Sequence, residues 1–311
     1  LITKIVPDHQ NWYANMSEYV ADKRLIYADQ TKEDYTLVDF DGDTVGTGPI
    51  TGGTWGDLFA SESKGTVIRY SQKDLSRYAK GMNGAWQSFD DDNVFSGMVK
   101  LPDWPKAQKV LGKLKVPGVH MRCNTMNAAL VLAIMGVEPA FIESTLGQWT
   151  GIPHRLQFFH TWQSPSGTKF RFFNDSCSTV PEAAAVASQS FGKQVVFITG
   201  GTDKGLDFMP LAATLNYKDS FSTKVYKLYL LDGTGTEKLV QLLKKDQIDF
   251  DKPFDSLELL LKKLKEDLLM AGDSFLSDTI VFSPGATSFG MFTNEFDRGN
   301  KFMNLVKEIF A

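Results

Sequence analysis

Apolar positions along the chain fall into two patterns. Short apolar stretches recur at 35–40 (Tyr-Thr-Leu-Val-Asp-Phe), 66–70, 169–173, 194–199, 225–231 and 279–283, and each reads as a strand. Leu1 to Val6 opens the chain in the same way. Elsewhere apolar residues return every three or four positions, which predicts helices over 16–27, 124–135, 181–191, 206–215, 236–245, 256–270 and 300–310. In the first helix Met16, Tyr19, Val20, Ile26 and Tyr27 form the apolar side. Gly136 stops the second. Asp255 reads as the N-cap of the 256–270 helix, and Gly272 lies just beyond its end.

From Gly151 onward strands and helices alternate, which argues a largely parallel sheet with helices on both faces. The expected fold class is α/β in two domains, 1–150 and 151–311, the second Rossmann-like with a mostly parallel sheet. Ligands of such sheets bind at the carboxyl ends of the strands. Asn174-Asp175, Gly200-Gly201 and Ser283-Pro284 all fall at or just after a predicted strand end. Residues 41–117, rich in Gly, Asp and Ser, are the least legible. Asp39-x-Asp41-x-Asp43 opens like a calcium loop, but Thr44 and Ile50 stand where that loop needs Gly and Glu.

At 42% hydrophobic and 23% charged, the 311 residues describe an ordinary globular chain long enough for two domains. A net charge of −4 leaves no basic footprint for nucleic acid. No apolar run approaches the ~18 residues of a membrane span. Cys123 and Cys177 offer no disulfide framework, which fits a reducing cytoplasm. The chain opens at Leu1 inside a strand-like run, without Met or a signal peptide, and on that ground is expected to be an excised fragment.

The candidate chemistry lies in polar motifs punctuated by Gly and Pro: Pro7-Asp8-His9, Gly118-Val119-His120 with Asn124, Gly151-Ile152-Pro153-His154-Arg155, Asn174-Asp175-Ser176, the turn Gly200–Gly205, and Ser283–Ser288. Three of the four histidines sit inside them. Lys23, four residues from both Tyr19 and Tyr27, falls on the apolar side of its helix, where a lysine stem packs while its head reaches water. His120 and Asn124 open the 124–135 helix, where they either cap it or face a polar or anionic ligand. Arg155 offers an always-charged, forked donor suited to phosphate, or is an exposed hinge residue. Asp175 can accept hydrogen bonds from ribose hydroxyls. Cys177 has no His-based dyad and reads as an ordinary small residue. No Gly-x-x-x-x-Gly-Lys-Ser/Thr phosphate loop occurs, and Gly46–Gly56 reads as an irregular surface loop.

Taken in order, these motifs resemble the Mur ligases, the ATP-dependent amide-forming enzymes of peptidoglycan synthesis. Phe282–Phe289 followed by Asn294-Glu295-Phe296-Asp297-Arg298-Gly299 is the most specific part of the likeness, which runs from about residue 4 to the C-terminus. The nearest branch joins D-glutamate to UDP-N-acetylmuramoyl-L-alanine. The resemblance implies that 1–150 is the latter part of a central ATP-binding domain and 151–311 a whole C-terminal domain. It places the phosphate loop and the UDP-sugar domain upstream, so that this chain alone is expected to be inactive. It implies a carbamylated Lys23 and His9 at magnesium; Asn124 at adenine; Arg155 and Asp175 on ATP, completed by domain closure; and Thr179, Lys204 and Ser288 on D-glutamate. It further implies a cytoplasmic, monomeric enzyme without nucleic-acid or membrane partners. The chain departs from the family at Lys4 and Met121, where Asn is usual, and at Cys177, where Lys is common. A folylpolyglutamate-synthetase-like ligase shares the architecture, though the 283–299 tail argues against it. A non-catalytic nucleotide- or amino-acid-binding module is the alternative from another class.

Overall fold

A computed structural model describes residues 1–5, 12–42, 48–49, 52–78, 81–215, 225–272 and 275–311. Two compact units divide the chain: residues 1–114 with 122–149, and residues 115–121 with 150–311.

The first unit begins with α1 (Met16–Arg24), capped by the Asn15 side chain on the Glu18 N–H and prolonged by a tight turn over Leu25–Tyr27. There follow β1 (Tyr35–Asp39), α2 (Trp55–Glu62), β2 (Thr66–Ser71), a single turn α3 (Leu75–Tyr78), β3 (Gly84–Phe89), β4 (Phe95–Lys100), β5 (Gln108–Leu111), α4 (Val119–Ile134) and α5 (Pro139–Gln148). The sheet runs β1-β2-β3-β4-β5, parallel across its first two pairings and antiparallel across the last two. Met126, Ala129, Leu130 and Ala133 recur at helical spacing along α4 and pack on Leu37, Ile68, Val99 and Leu111. Val38 points to the opposite face, where Tyr19, Val20, Tyr27, Trp55 and Phe59 cover it.

The second unit contains β6 (Gln157–Gln163), β7 (Lys169–Asn174), α6 (Pro181–Gln189), β8 (Val195–Thr199), α7 (Met209–Leu215), β9 (Val225–Leu230), α8 (Thr234–Lys245), α9 (Leu257–Ala271), β10 (Thr279–Phe282) and α10 (Glu295–Ile309). Its sheet order is β6-β7-β10-β8-β9, with β6 antiparallel at one edge and the other pairings parallel. Strand alternation splits the core in two. Phe173, Phe197, Leu228, Leu230 and Val281 face α6, α7 and α8. Phe170, Phe172, Ile198, Tyr229, Ile280 and Phe282 face α9 and α10. Every residue of β8 and β10 is buried, which explains why these strands read as unbroken apolar runs.

Four expectations are corrected. Residues 1–5 form no strand; a single bond from Ile2 N to the Leu37 carbonyl (2.9 Å) does not continue as a ladder. Helix α4 starts at Val119, directly after Gly118 at φ 97°, so Asn124 lies inside the helix and not at its opening. Ser256, not Asp255, caps α9, because its hydroxyl accepts from Leu259 N. The C-terminal helix starts at Glu295, where Asn294 accepts from both Phe296 N and Asp297 N. The illegible 41–117 stretch holds a helix, a turn of helix and four strands among its described residues.

Candidate functional site

In the second unit β7, β10 and β8 are parallel neighbours, with Phe282 in register with both Asn174 and Ile198. Their carboxyl ends therefore release three loops side by side: 174–179, 283–288 and 200–205. Backbone hydrogen bonds tie them together. Gly200 N donates to the Pro284 carbonyl (2.9 Å), Gly285 N to the Ser178 carbonyl (2.9 Å), and Thr287 N to the Thr202 carbonyl (2.9 Å). Gly200 has φ 105°, and a Cβ there would lie 2.4 Å from the Leu231 carbonyl oxygen, so the close approach requires glycine.

Asp175 is buried at the first strand end. It accepts from Leu156 N (3.0 Å) and Ser283 Oγ (2.7 Å). Burial raises its pKa to about 6 against the opposing pull of these bonds and of Arg155. Arg155 itself is exposed, and its charge is felt at both Asp175 and His120. Thr179 is half-buried and Ser288 buried, while Lys204 is exposed on the third loop. That loop is shaped by Asp203, which accepts from Gly205 N (2.9 Å) and Leu206 N (3.0 Å) and pairs with Lys238. The fold thus brings Asp175, Thr179, Lys204 and Ser288 onto one edge of one sheet.

Two residues of the same motifs serve as internal fastenings. His154 adopts φ 61° and is buried; Asn174 Nδ2 donates to its Nδ1 (2.8 Å), and Cys177 N donates to its carbonyl (3.0 Å). Burial lowers its pKa, which keeps the accepting nitrogen bare. His120 is also held neutral, by burial and then by Arg155, and its Nδ1 has no hydrogen-bond partner among the described residues. Met121, the neighbour that departs from the family pattern, is buried.

In the first unit the carboxyl ends of the parallel β1 and β2 border a cavity of about 240 Å³. Its lining includes Lys4, Asp39, Asp41, Gln87, Cys123 and Asn124. Burial, with the charge of Asp41, raises Asp39 to about 6, and Lys4 opposes the shift. Gln87 Nε2 donates to Cys123 Sγ (3.3 Å), and burial pushes that thiol upward, so it is not a poised nucleophile. Asn124 thus lines a cavity from inside α4 instead of capping a helix. In the sequence Asp39 and Asp41 stand out only as a broken calcium-loop pattern; the signal that places them at this cavity is a carboxylate closing an apolar strand.

Lys23 does not line that cavity but a second one of about 340 Å³, together with Tyr19 and Asp22; Thr3 and Lys4 border both. It is exposed, with its ammonium over the Tyr19 ring, 5.1 Å from the centroid. Ile26 is exposed as well, so the buried stripe of α1 narrows to Tyr19 and Val20, with Tyr27 beyond it. His9 lies outside the described residues.

The chain is 32% identical over its whole length to UDP-N-acetylmuramoylalanine–D-glutamate ligase of Treponema pallidum, covering 62% of that protein. It is 29% identical over 99% of its length to the ligase of the same name from Caldicellulosiruptor saccharolyticus, covering 60%. Among solved structures, MurF from Acinetobacter baumannii matches 99% of the chain with a TM-score of 0.61 at 13% identity, and the chain covers 58% of it. Over its whole length the chain is thus similar to ligases of the Mur type. No family model matches it. The chain spans about 60% of the length of the curated relatives it matches. A pseudomurein peptide ligase type C from Methanothermus fervidus shares the fold at a TM-score of 0.54 and 12% identity. No helix among the described residues is long and apolar enough to cross a membrane.

Proposed function

We propose that this chain supplies nucleotide- and amino-acid-handling parts of an ATP-dependent ligase that adds D-glutamate to UDP-N-acetylmuramoyl-L-alanine in the cytoplasm. Residues 1–150 are read as the latter part of the central ATP-binding domain and 151–311 as the C-terminal domain. The observation that carries the reading is the set of three tied loops holding Asp175, Lys204 and Ser288 at adjacent carboxyl strand ends.

The reaction begins with transfer of the ATP γ-phosphoryl group to the carboxylate of UDP-N-acetylmuramoyl-L-alanine. The amine of D-glutamate then attacks the acyl phosphate, and the tetrahedral intermediate expels phosphate. Asn124 holds the adenine in its cavity, Asp175 accepts from the ribose hydroxyls, and Arg155 pairs with phosphate. Lys204, Thr179 and Ser288 orient D-glutamate through a cation and two hydroxyls. Orientation of the amine converts a bimolecular encounter into a positioned attack.

Magnesium would offset charge on the phosphoryl oxygens. Among the described residues no cluster of three His, Cys, Asp or Glu side chains could hold a metal. Lys23 as the ammonium over Tyr19 is not a ligand; only its carbamate, an anionic oxygen donor, fits the role. His9 is the second assigned ligand. The enzyme is read as a monomer with no nucleic-acid or membrane partner.

The test is phosphate release by the full-length gene product with ATP, magnesium, UDP-N-acetylmuramoyl-L-alanine and D-glutamate, omitting each in turn. Release that does not depend on D-glutamate would overturn the reading. Nucleotide or amino-acid binding without turnover would favour the non-catalytic alternative.

A further inference from the structure

Arg298 is fully buried, the largest side chain so enclosed among the described residues. Burying a guanidinium is costly unless its donors are satisfied. Here Nε donates to Ser176 Oγ (3.0 Å), Nη2 to the Ser176 carbonyl (2.8 Å) and Nη1 to the Ala286 carbonyl (2.9 Å). None of these partners carries a charge. Glu295 acts on Arg298 through its charge alone, without a hydrogen bond to it, and burial pushes the guanidinium pKa down to about 10. The positive charge is thus retained in the interior without a bonded carboxylate.

The position of this charge matters more than its burial. Ser176 belongs to the loop after β7 and Ala286 to the loop after β10. The third loop is adjacent: a Cβ built on Gly201 would come 3.8 Å from Nη1. One guanidinium therefore lies beneath all three loops that carry Thr179, Lys204 and Ser288. Cys177, next to Ser176, adds no cation there.

We propose that Arg298 is a positioning residue for the amino-acid acceptor, fixing the 174–179 loop against the 283–288 loop and supplying from below a buried positive charge that favours the acceptor's carboxylates. This rests on the D-glutamate reading above. Arg298 reaches the acceptor only through the loops and the field, since no part of it is exposed. A fixed charge in a poorly screened interior acts on a nearby anion more strongly than one in water.

The experiment measures KM for D-glutamate and for ATP in the full-length gene product carrying Arg298→Gln or Arg298→Lys. Glutamine removes both charge and fork; lysine keeps the charge. The expected result is a D-glutamate KM raised about tenfold or more in Arg298→Gln, equivalent to ~1.4 kcal/mol, with a smaller rise in Arg298→Lys. The ATP KM should stay within about twofold in both, a ratio small on that same scale. Equal losses in the two variants, or ATP and D-glutamate KM rising together, would mark Arg298 as a structural rivet and overturn the proposal. If neither variant folds, Ser176→Ala removes only the Nε acceptor; an unchanged D-glutamate KM in that variant overturns the proposal and a selective rise supports it. Wild-type protein that shows no D-glutamate-dependent turnover refutes the functional reading itself, whereas normal turnover with unmoved KM in the variants refutes this inference alone.

Discussion

Gly299 and His154 fit together by exclusion: a Cβ on Gly299 would lie 2.2 Å from His154 Nδ1. That same nitrogen accepts from Asn174 Nδ2 (2.8 Å), and the Phe296 ring packs T-shaped against the imidazole with centroids 5.8 Å apart. His154 in turn holds a left-handed backbone conformation immediately before Arg155. A glycine in α10 thereby makes room for the residue that precedes Arg155.

Gly299→Ala should therefore displace the His154 ring and destabilise the chain by ~1–3 kcal/mol, the usual cost of overpacking an interior. Thermal unfolding measures the cost, and ATP titration should reveal weakened binding through a misdirected Arg155. An unchanged melting temperature would show that the ring has somewhere else to go.

Asp175 predicts a pH dependence in two opposite senses. Its folded pKa, about 6, exceeds the ordinary 3.8. The protonated form favours folding, so this contribution is fully present below pH 3.8 and is lost as pH rises through about 6. If Asp175 serves the nucleotide as proposed, binding needs the carboxylate as an acceptor and should weaken as pH falls through the same value. ATP affinity measured from pH 5 to 7.5, on the scale set by that shift, should fall toward the acid end in wild type and stay flat in Asp175→Asn. Parallel curves for both proteins would remove Asp175 from the nucleotide.

A structural charge cluster behaves in the reverse way. Asp267, half-buried on α9 against β9, would have its pKa raised by that partial burial alone, but bonds from Lys263 (2.7 Å), Tyr229 (2.6 Å) and Lys227 (2.9 Å) hold it at about 2. Its stabilisation is present above pH 3.8 and is lost as pH falls through about 2. Asp267→Ala should cost ~1–3 kcal/mol at neutral pH, since the buried Tyr229 hydroxyl loses its acceptor. Denaturant melts at pH 7 and pH 2 should show the wild-type advantage shrinking in acid.

The parts of the fold legible in sequence share one physical trait. Strands β8 and β10 lie inside a parallel sheet covered on both faces, so each reads as an apolar run, while β7 and β9 keep apolar residues around a single inner Arg171 or Lys227. Strand β6, an antiparallel edge with half-buried Phe159 and exposed Phe158, has no such run and was missed. The start of α10 was missed because Asn294–Gly299 is polar and ends in glycine. Those same features are a cap, a buried arginine and a glycine cleared for His154. The convergence of Asp175, Lys204 and Ser288 was legible from Gly and Pro placed after strands. The burial of Arg298 was not, because nothing in an Asp-Arg-Gly triplet distinguishes an interior guanidinium from a solvated one.

Lys23→Ala in the full-length gene product should abolish activity, with partial recovery on adding small carboxylates such as formate or acetate. An added acid could occupy the place that a carbamate would fill. The exposed ammonium over Tyr19 is accessible to carbon dioxide, so the modification needs no rearrangement of α1. Undiminished activity would return Lys23 to a lysine with a packed stem.

Lys204→Ala tests the acceptor pocket directly. Lys204 is exposed on a turn held by Asp203, so its removal leaves the turn's own bonds from Gly205, Leu206 and Lys238 intact. A hydrogen bond to a charged group contributes ~1.5–3 kcal/mol. The D-glutamate KM should then rise at least about tenfold, since ~1.4 kcal/mol is a factor of ten. The ATP KM should move much less, because Arg155 and Asp175 are assigned to the nucleotide. Cys177→Lys adds a cation one residue after Ser176 and should lower the D-glutamate KM or leave it unchanged. Equal losses for ATP and D-glutamate in Lys204→Ala would make the 200–205 turn a general structural element. The acceptor would then have to be held by Thr179, Ser288 and the field of Arg298, without Lys204.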